Sequence, residues 1–228
     1  MIKKLLTSFP AILIVTGASA ASLIVGLPGS TGNAFPFGGG FAMGGAVSTR
    51  YQQAYAAGDF SSISAPFLIT SVDFLDGTGK LAPSTYSLYF STITAGIDTL
   101  SDVNFDSNRG ADNTLFATLT LTGTAPPTLT FSGTPFFYDP AHGNLLMDIV
   151  VSPGGVDANS GFGASYLASS NAFGIFSRYH NFGNSTIGWG LVTQFDYQVV
   201  PEPSVTGLIC LAVLLGGTFA RRARGVKR

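Results

Sequence analysis

The first stretch whose residue types could do chemistry is "DTLSDVNFDSNRGADN" (98–113), where Asp102, Asn104 and Asp106 read D-x-N-x-D. Closely spaced hard oxygen ligands suit Ca²⁺, and this spacing opens an EF-hand-type loop. The rest of that pattern departs. Ser107 stands at the turn glycine, Asn113 where a bidentate Glu belongs, and a strand signal follows instead of a helix. The competing reading is an Asx-rich surface turn. The two histidines, His142 in "YDPAHGN" and His180 in "SRYHNFG", have no second ligand at zinc spacing and read as turn or surface residues. "GASYL" (163–167) and "GNSTI" (183–187) both lack the final glycine of a G-x-S-x-G elbow. Glycoside hydrolysis needs two carboxyl groups facing one cleft. Asp76, Asp139 and Asp157 fall in turns, and no carboxyl pair shows a motif. Trp189, Tyr51, Tyr138, Tyr166 and Tyr179 are candidates to stack on sugar rings, although most of the 28 aromatic residues belong to a core. The residues therefore predict no catalytic set, no enzyme and no cofactor beyond a structural calcium ion at Asp102, Asn104 and Asp106.

The elements that would position these residues read as strands. "FLITSVDFL" (67–75), "STYSLYFSTI" (84–93), "NTLFATLTLT" (113–122), "PTLTFSG" (127–133), "NLLMDIVVS" (144–152) and "LVTQFDYQVV" (191–200) are β-branched or aromatic. Tyr86, Leu88 and Phe90 alternate with Ser87, Tyr89 and Ser91 at period two. Gly, Pro, Asp and Asn clusters such as "DGTGK" (76–80) and "SPGG" (152–155) separate the runs. Weaker strand signals lie around Ala172–Ser177 and Thr186–Trp189. The segment 48–62 is ambiguous: Tyr51 and Tyr55 share one face of a helix, and Tyr51, Gln53 and Tyr55 share one face of a strand. Glu, Lys and Gln are too scarce to give long helices a polar face. The expectation is an all-β, two-sheet, jelly-roll-like β-sandwich.

Charge is divided unevenly. Between residues 21 and 200, eleven Asp oppose Arg50, Lys80, Arg109 and Arg178, giving −7, while the whole chain carries −1. A body this acidic offers no cationic patch for nucleic acid. The single cysteine, Cys210, lies outside that span, so the body has no disulfide and no cysteine nucleophile.

The two ends carry addresses. Lys3 and Lys4 precede an apolar run, Leu5–Val15, and Ala18-Ser19-Ala20 fits the small-x-small cleavage pattern of a secretory signal peptide over residues 1–20. At the other end, Val205–Ala220 is uncharged, and ~1.5 Å per residue makes it ~24 Å long, a thin membrane helix. Arg221, Arg222, Arg224, Lys227 and Arg228 follow as a basic stop on the cytoplasmic side. Pro201 and Pro203 hold the preceding segment extended.

Val200-Pro201-Glu202-Pro203-Ser204, the apolar helix and the terminal arginine cluster together resemble the PEP-CTERM sorting signal of Gram-negative bacteria. The resemblance covers about 30 residues, 200–228. It implies that an exosortase, a membrane-embedded cysteine protease-transpeptidase, reads Pro201, Glu202 and Pro203, with Arg221, Arg222 and Arg224 as the basic part of the sorting signal. It implies signal peptidase and exosortase as partners, with extracellular polysaccharide as a further one. The route runs from an inner-membrane-anchored precursor to the cell surface or beyond. The expected organisation is a signal peptide (1–20), a β-sandwich body (21–199) and the sorting signal (200–228). The expected function is a non-enzymatic surface or matrix protein associated with exopolysaccharide and biofilm. A carbohydrate-binding module is the alternative, and a secreted hydrolase a more distant one.

Overall fold

A computed structural model describes residues 20–38, 49–153, 163–169, 176–180 and 190–200. The elements run β1 (Ala20–Val25), β2 (Pro28–Asn33), β3 (Arg50–Tyr55), the 3₁₀ turn η1 (Ala57–Phe60), β4 (Phe67–Leu75) and β5 (Lys80–Ile93). There follow η2 (Phe105–Asn108), β6 (Thr114–Thr124), β7 (Thr128–Tyr138), η3 (Pro140–His142), β8 (Asn144–Pro153), β9 (Tyr166–Ser169), β10 (Phe176–His180) and β11 (Thr193–Val199). Among the described residues there is no α-helix, and no helix long and apolar enough to cross a membrane.

The chain is all-β. One antiparallel sheet has the order β1-β11-β4-β7, a second β10-β3-β8-β5-β6, and β2 pairs with β9 alone. The two larger sheets share one core. Phe67, Ile69, Val72 and Phe74 of β4 and Phe195 of β11 meet Tyr55 of β3, Leu88 and Phe90 of β5 and Met147 and Ile149 of β8. Alternation puts these on the inner faces, as the period-two pattern demands. The rings pack edge to face: Tyr55–Phe195 centroids are 5.1 Å apart at 81°, Phe67–Tyr138 5.5 Å at 88°. Such pairs contribute about 1 kcal/mol each beyond burial. The sheets approach along β6 and β7. A Cβ on Gly133 of β7 would stand 1.8 Å from the Phe116 carbonyl oxygen of β6, so this crossing requires glycine.

Several expectations change. Residues 50–55 form a strand paired with β8 and β10, so Tyr51, Gln53 and Tyr55 share its inner face and the helical alternative is excluded. Strands β1, β2 and β9 had no clear signal in the sequence. The weak strand expected near Ala172–Ser177 falls partly on β10, and 186–189 lies outside the described residues. Ala20 opens β1, whereas Ala18, Pro201, Glu202, Pro203, the 205–220 helix, Arg221, Arg222 and Arg224 lie outside the described residues.

Candidate functional site

Among the described residues, the densest polar grouping sits on the outer face of the five-stranded sheet, beneath the connection between β5 and β6. Residues 94–113 fold back onto that face because Leu100 and Phe105 bury against Ala54, Ile93 and Leu146. Gln52 and Tyr89 flank Asp148 in register across β3, β8 and β5. Gln52 donates from Nε2 to the Phe105 carbonyl at 2.9 Å and accepts from Asn108 Nδ2 at 2.8 Å. Asn108 also ties both sides of the loop together through Ser101, accepting from its amide at 2.7 Å and donating to its carbonyl at 2.8 Å.

Charge fills the rest. Asp148 is 1% exposed and forms a bidentate pair with Arg50, Nε to Oδ1 at 2.9 Å and Nη2 to Oδ2 at 2.7 Å. Arg109 Nε donates to the same Oδ2 at 2.6 Å. Asp106 receives Arg50 Nη1 at 2.9 Å and Arg109 Nη1 at 3.3 Å. Each guanidinium also lies over a ring, Arg50 over Phe105 at 5.5 Å and Arg109 over Tyr89 at 5.1 Å. Burial pulls the Arg50 pKa down, but the hydrogen bond and charge of Asp148, joined by Asp106, leave it raised. The hydrogen bond from Arg50, with its charge, holds the Asp106 carboxyl below its ordinary range. Two cations and two anions balance. Asp148 Oδ1 accepts one bond and Oδ2 two, all from arginine, so this carboxylate is placed to clamp the loop to the sheet.

The structure places the remaining candidates as follows. Asp106 faces two guanidinium groups, and Asn104 uses Oδ1 to cap η2 by accepting from the Ser107 amide at 3.3 Å. Among the described residues no three His, Cys, Asp or Glu side chains are grouped to hold a metal ion, Asp102 included. Tyr51, Tyr138 and Tyr166 are 0%, 0% and 1% exposed, so they are core rings and not stacking platforms. Tyr138 donates its hydroxyl to the Gly143 carbonyl at 2.8 Å. Trp189 and the side chains of Tyr179 and His180 lie outside the described residues. Ser165, the serine of "GASYL", bonds Thr78 Oγ1 at 3.0 Å. His142 closes η3, with Nδ1 2.8 Å from Asp139 Oδ2. Asp148, Arg50 and Arg109 were missed. Their available signal was a lone carboxylate inside the apolar run "NLLMDIVVS" and the scarcity of basic residues in the body.

The chain matches no family model, no curated protein and no solved structure.

Proposed function

We propose that this chain is an exported, non-enzymatic surface or matrix protein, released from a membrane-anchored precursor by removal of its ends. The observation that carries the reading is the β1–β11 pairing. Ala20 is in register with Gln198, so the signal-peptide side and the sorting-signal side leave the body at one end of one sheet. Val200 is fixed there by its amide, which donates to the Pro66 carbonyl at 2.9 Å. The sorting signal follows directly on Val200 in the sequence, so the tail root of the body would stand close to the bilayer in the precursor. The pairing of buried Asp148 with two arginines favours a scaffold over a hydrolase.

The finer fold reading is a jelly roll. Its support is nested pairing, β1 with β11, β3 with β8, β4 with β7 and β5 with β6, the order of a hairpin rolled up on itself. Fold alone assigns no activity. A second reading, a carbohydrate-binding module, has one specific support: Phe137 is 52% exposed on the outside of the four-stranded sheet. Intact mass and cell fractionation in the native host decide the first reading. Loss of both ends in the wild type, and a membrane-retained tail when Pro201, Glu202 and Pro203 are all replaced by Ala, is expected. A mature form still carrying Arg228 overturns it. Glycan binding abolished by Phe137→Ala would move the assignment to the second reading.

A further inference from the structure

We propose that the outer face of the four-stranded sheet binds a calcium ion between Asp73 of β4 and Asp196 of β11. Asp73 is 9% exposed, yet it lies on the side away from the core, because Val72 and Phe74 before and after it fill the inner face. Gln194 stands opposite Asp73 in the β4–β11 ladder, and Asp196 stands opposite Ser71. Gln194 Nε2 donates to Asp73 Oδ2 and to Asp196 Oδ1, both at 3.3 Å. One neutral nitrogen therefore stands between two carboxylates, beyond the usual N–H···O distance on both sides. Asp73 Oδ1 is buried, and no donor among the described residues reaches it.

A buried carboxylate is ordinarily paired with a cation or bound to a metal, and an unsatisfied oxygen on one calls for an explanation. Among the described residues no ion pair reaches Asp73: Arg50 and Arg109 are engaged by Asp148 and Asp106 on the other sheet. Lys80 and Arg178 belong to β5 and β10 of that other sheet. The next residues across the four-stranded sheet, Thr130 on β7 and Ile24 on β1, carry no charge. What the sheet assembles here is hard oxygen, the donor that Ca²⁺ takes at about 2.3–2.6 Å. A half-turn of the Gln194 amide exchanges Nε2 for Oε1 and supplies a third oxygen, and each carboxylate closes in by roughly 1 Å to reach the ion. Gln194 and Asp196 are only partly buried, so water completes the shell. Ca²⁺ accepts such an irregular set, whereas Mg²⁺ demands a near-ideal octahedron. Few protein ligands mean a weak site, with a Kd on the order of 10⁻⁴–10⁻³ M. The ion would staple β11, the strand that runs on to Val200, to β4, its partner at the centre of the sheet. The inference does not depend on the export reading.

The test uses the full-length chain, stripped with EDTA and then unfolded in CaCl₂, in MgCl₂ and in NaCl of matched ionic strength. With a Kd of that order, about 10 mM Ca²⁺ lowers the unfolding constant about 10- to 100-fold, and the other two salts lower it far less. Asp73→Asn abolishes the calcium response and, in EDTA, is at least as stable as the wild type, because an unpaired buried charge is gone. Gln194→Glu adds a carboxylate, so it enlarges the calcium response and weakens the fold in EDTA. Asp102→Asn keeps the wild-type response, which separates this site from the loop at 98–113. A wild-type effect no larger in Ca²⁺ than in matched NaCl or Mg²⁺ overturns the proposal. So does a calcium response that survives Asp73→Asn or disappears in Asp102→Asn, or an Asp73→Asn variant less stable than the wild type in EDTA.

Discussion

The two faces of β3 bury polar groups in opposite ways. On the inner face Tyr51, Gln53 and Tyr55 form a neutral network: Tyr51 Oη donates to Gln53 Oε1, Gln53 Nε2 donates to the Leu191 carbonyl at 2.8 Å, and Tyr55 Oη bonds Thr193 Oγ1 at 2.8 Å. Leu191 returns its amide to Gln53 Oε1 at 2.8 Å. That network fastens the five-stranded sheet to the start of β11 in the other sheet. On the outer face Arg50 meets the carboxylates of Asp148 and Asp106, Gln52 bonds the Phe105 carbonyl and the Asn108 amide, and together they fasten a loop. The difference follows from solvent. The inner network has no water to screen or solvate a charge, so uncharged amides and hydroxyls cost less there. The loop cluster keeps one carboxylate, Asp106, 73% exposed and can tolerate ions because water still reaches its rim.

The comparison breaks most severely at Asp148. Asp148→Ala leaves Arg50 and Arg109 facing a void, and should cost about 3–5 kcal/mol in denaturant unfolding. Gln53→Ala strands the Leu191 amide and carbonyl inside the core, and should cost about 1–3 kcal/mol with no salt dependence. The contrast in salt response between these two variants measures the contrast between the faces.

A smaller effect lies just past the same strand, in η1. Burial lifts Asp59 from 3.8 to about 6, opposed by the Ala56 amide that donates to it at 3.0 Å. The folded state therefore holds a proton that the unfolded state has released between those values, and stability falls as pH rises from about 4 to about 6. Asp59→Asn keeps the acceptor and removes that fall, so the variant gains on the wild type at pH 7 and not at pH 3.5 in paired urea titrations. The smallest effect belongs to Asp106. Its lowered pKa makes its contribution full above the ordinary Asp value of ~3.9 and lost as pH falls through the folded value. Asp106→Asn should speed hydrogen exchange in the 94–113 loop at pH 7 and leave global stability nearly unchanged.

How much of this was legible depended on distance along the chain. "FLITSVDFL" forms β4 over the predicted residues, because alternation and flanking turns are local facts. The strand reading of Tyr51, Gln53 and Tyr55 was open for the same reason. β2, "PGSTGN", has turn composition and becomes a strand through contact with β9 more than 130 residues away, which no local pattern carries. The clamp is similar. Arg50 and Asp148 are 98 positions apart, and their meeting is set by the β3–β8 register. Asp106 was readable as an oxygen ligand but not as an arginine partner, because the guanidinium groups arrive from other elements.

The central claim is that the buried charged group is a clamp and the body a scaffold. The most direct measurement replaces the group with apolar residues, Asp148→Leu with Arg50→Met and Arg109→Met, in the full chain in its native host. Buried ion groups exchanged as a set for apolar side chains commonly retain stability. The account predicts a folded protein with the 94–113 loop still protected in hydrogen exchange, processed and delivered to the surface in wild-type amounts. A folded variant with its loop in place that loses the host's surface or matrix phenotype would contradict it, and would make the arginine–aspartate group a working site.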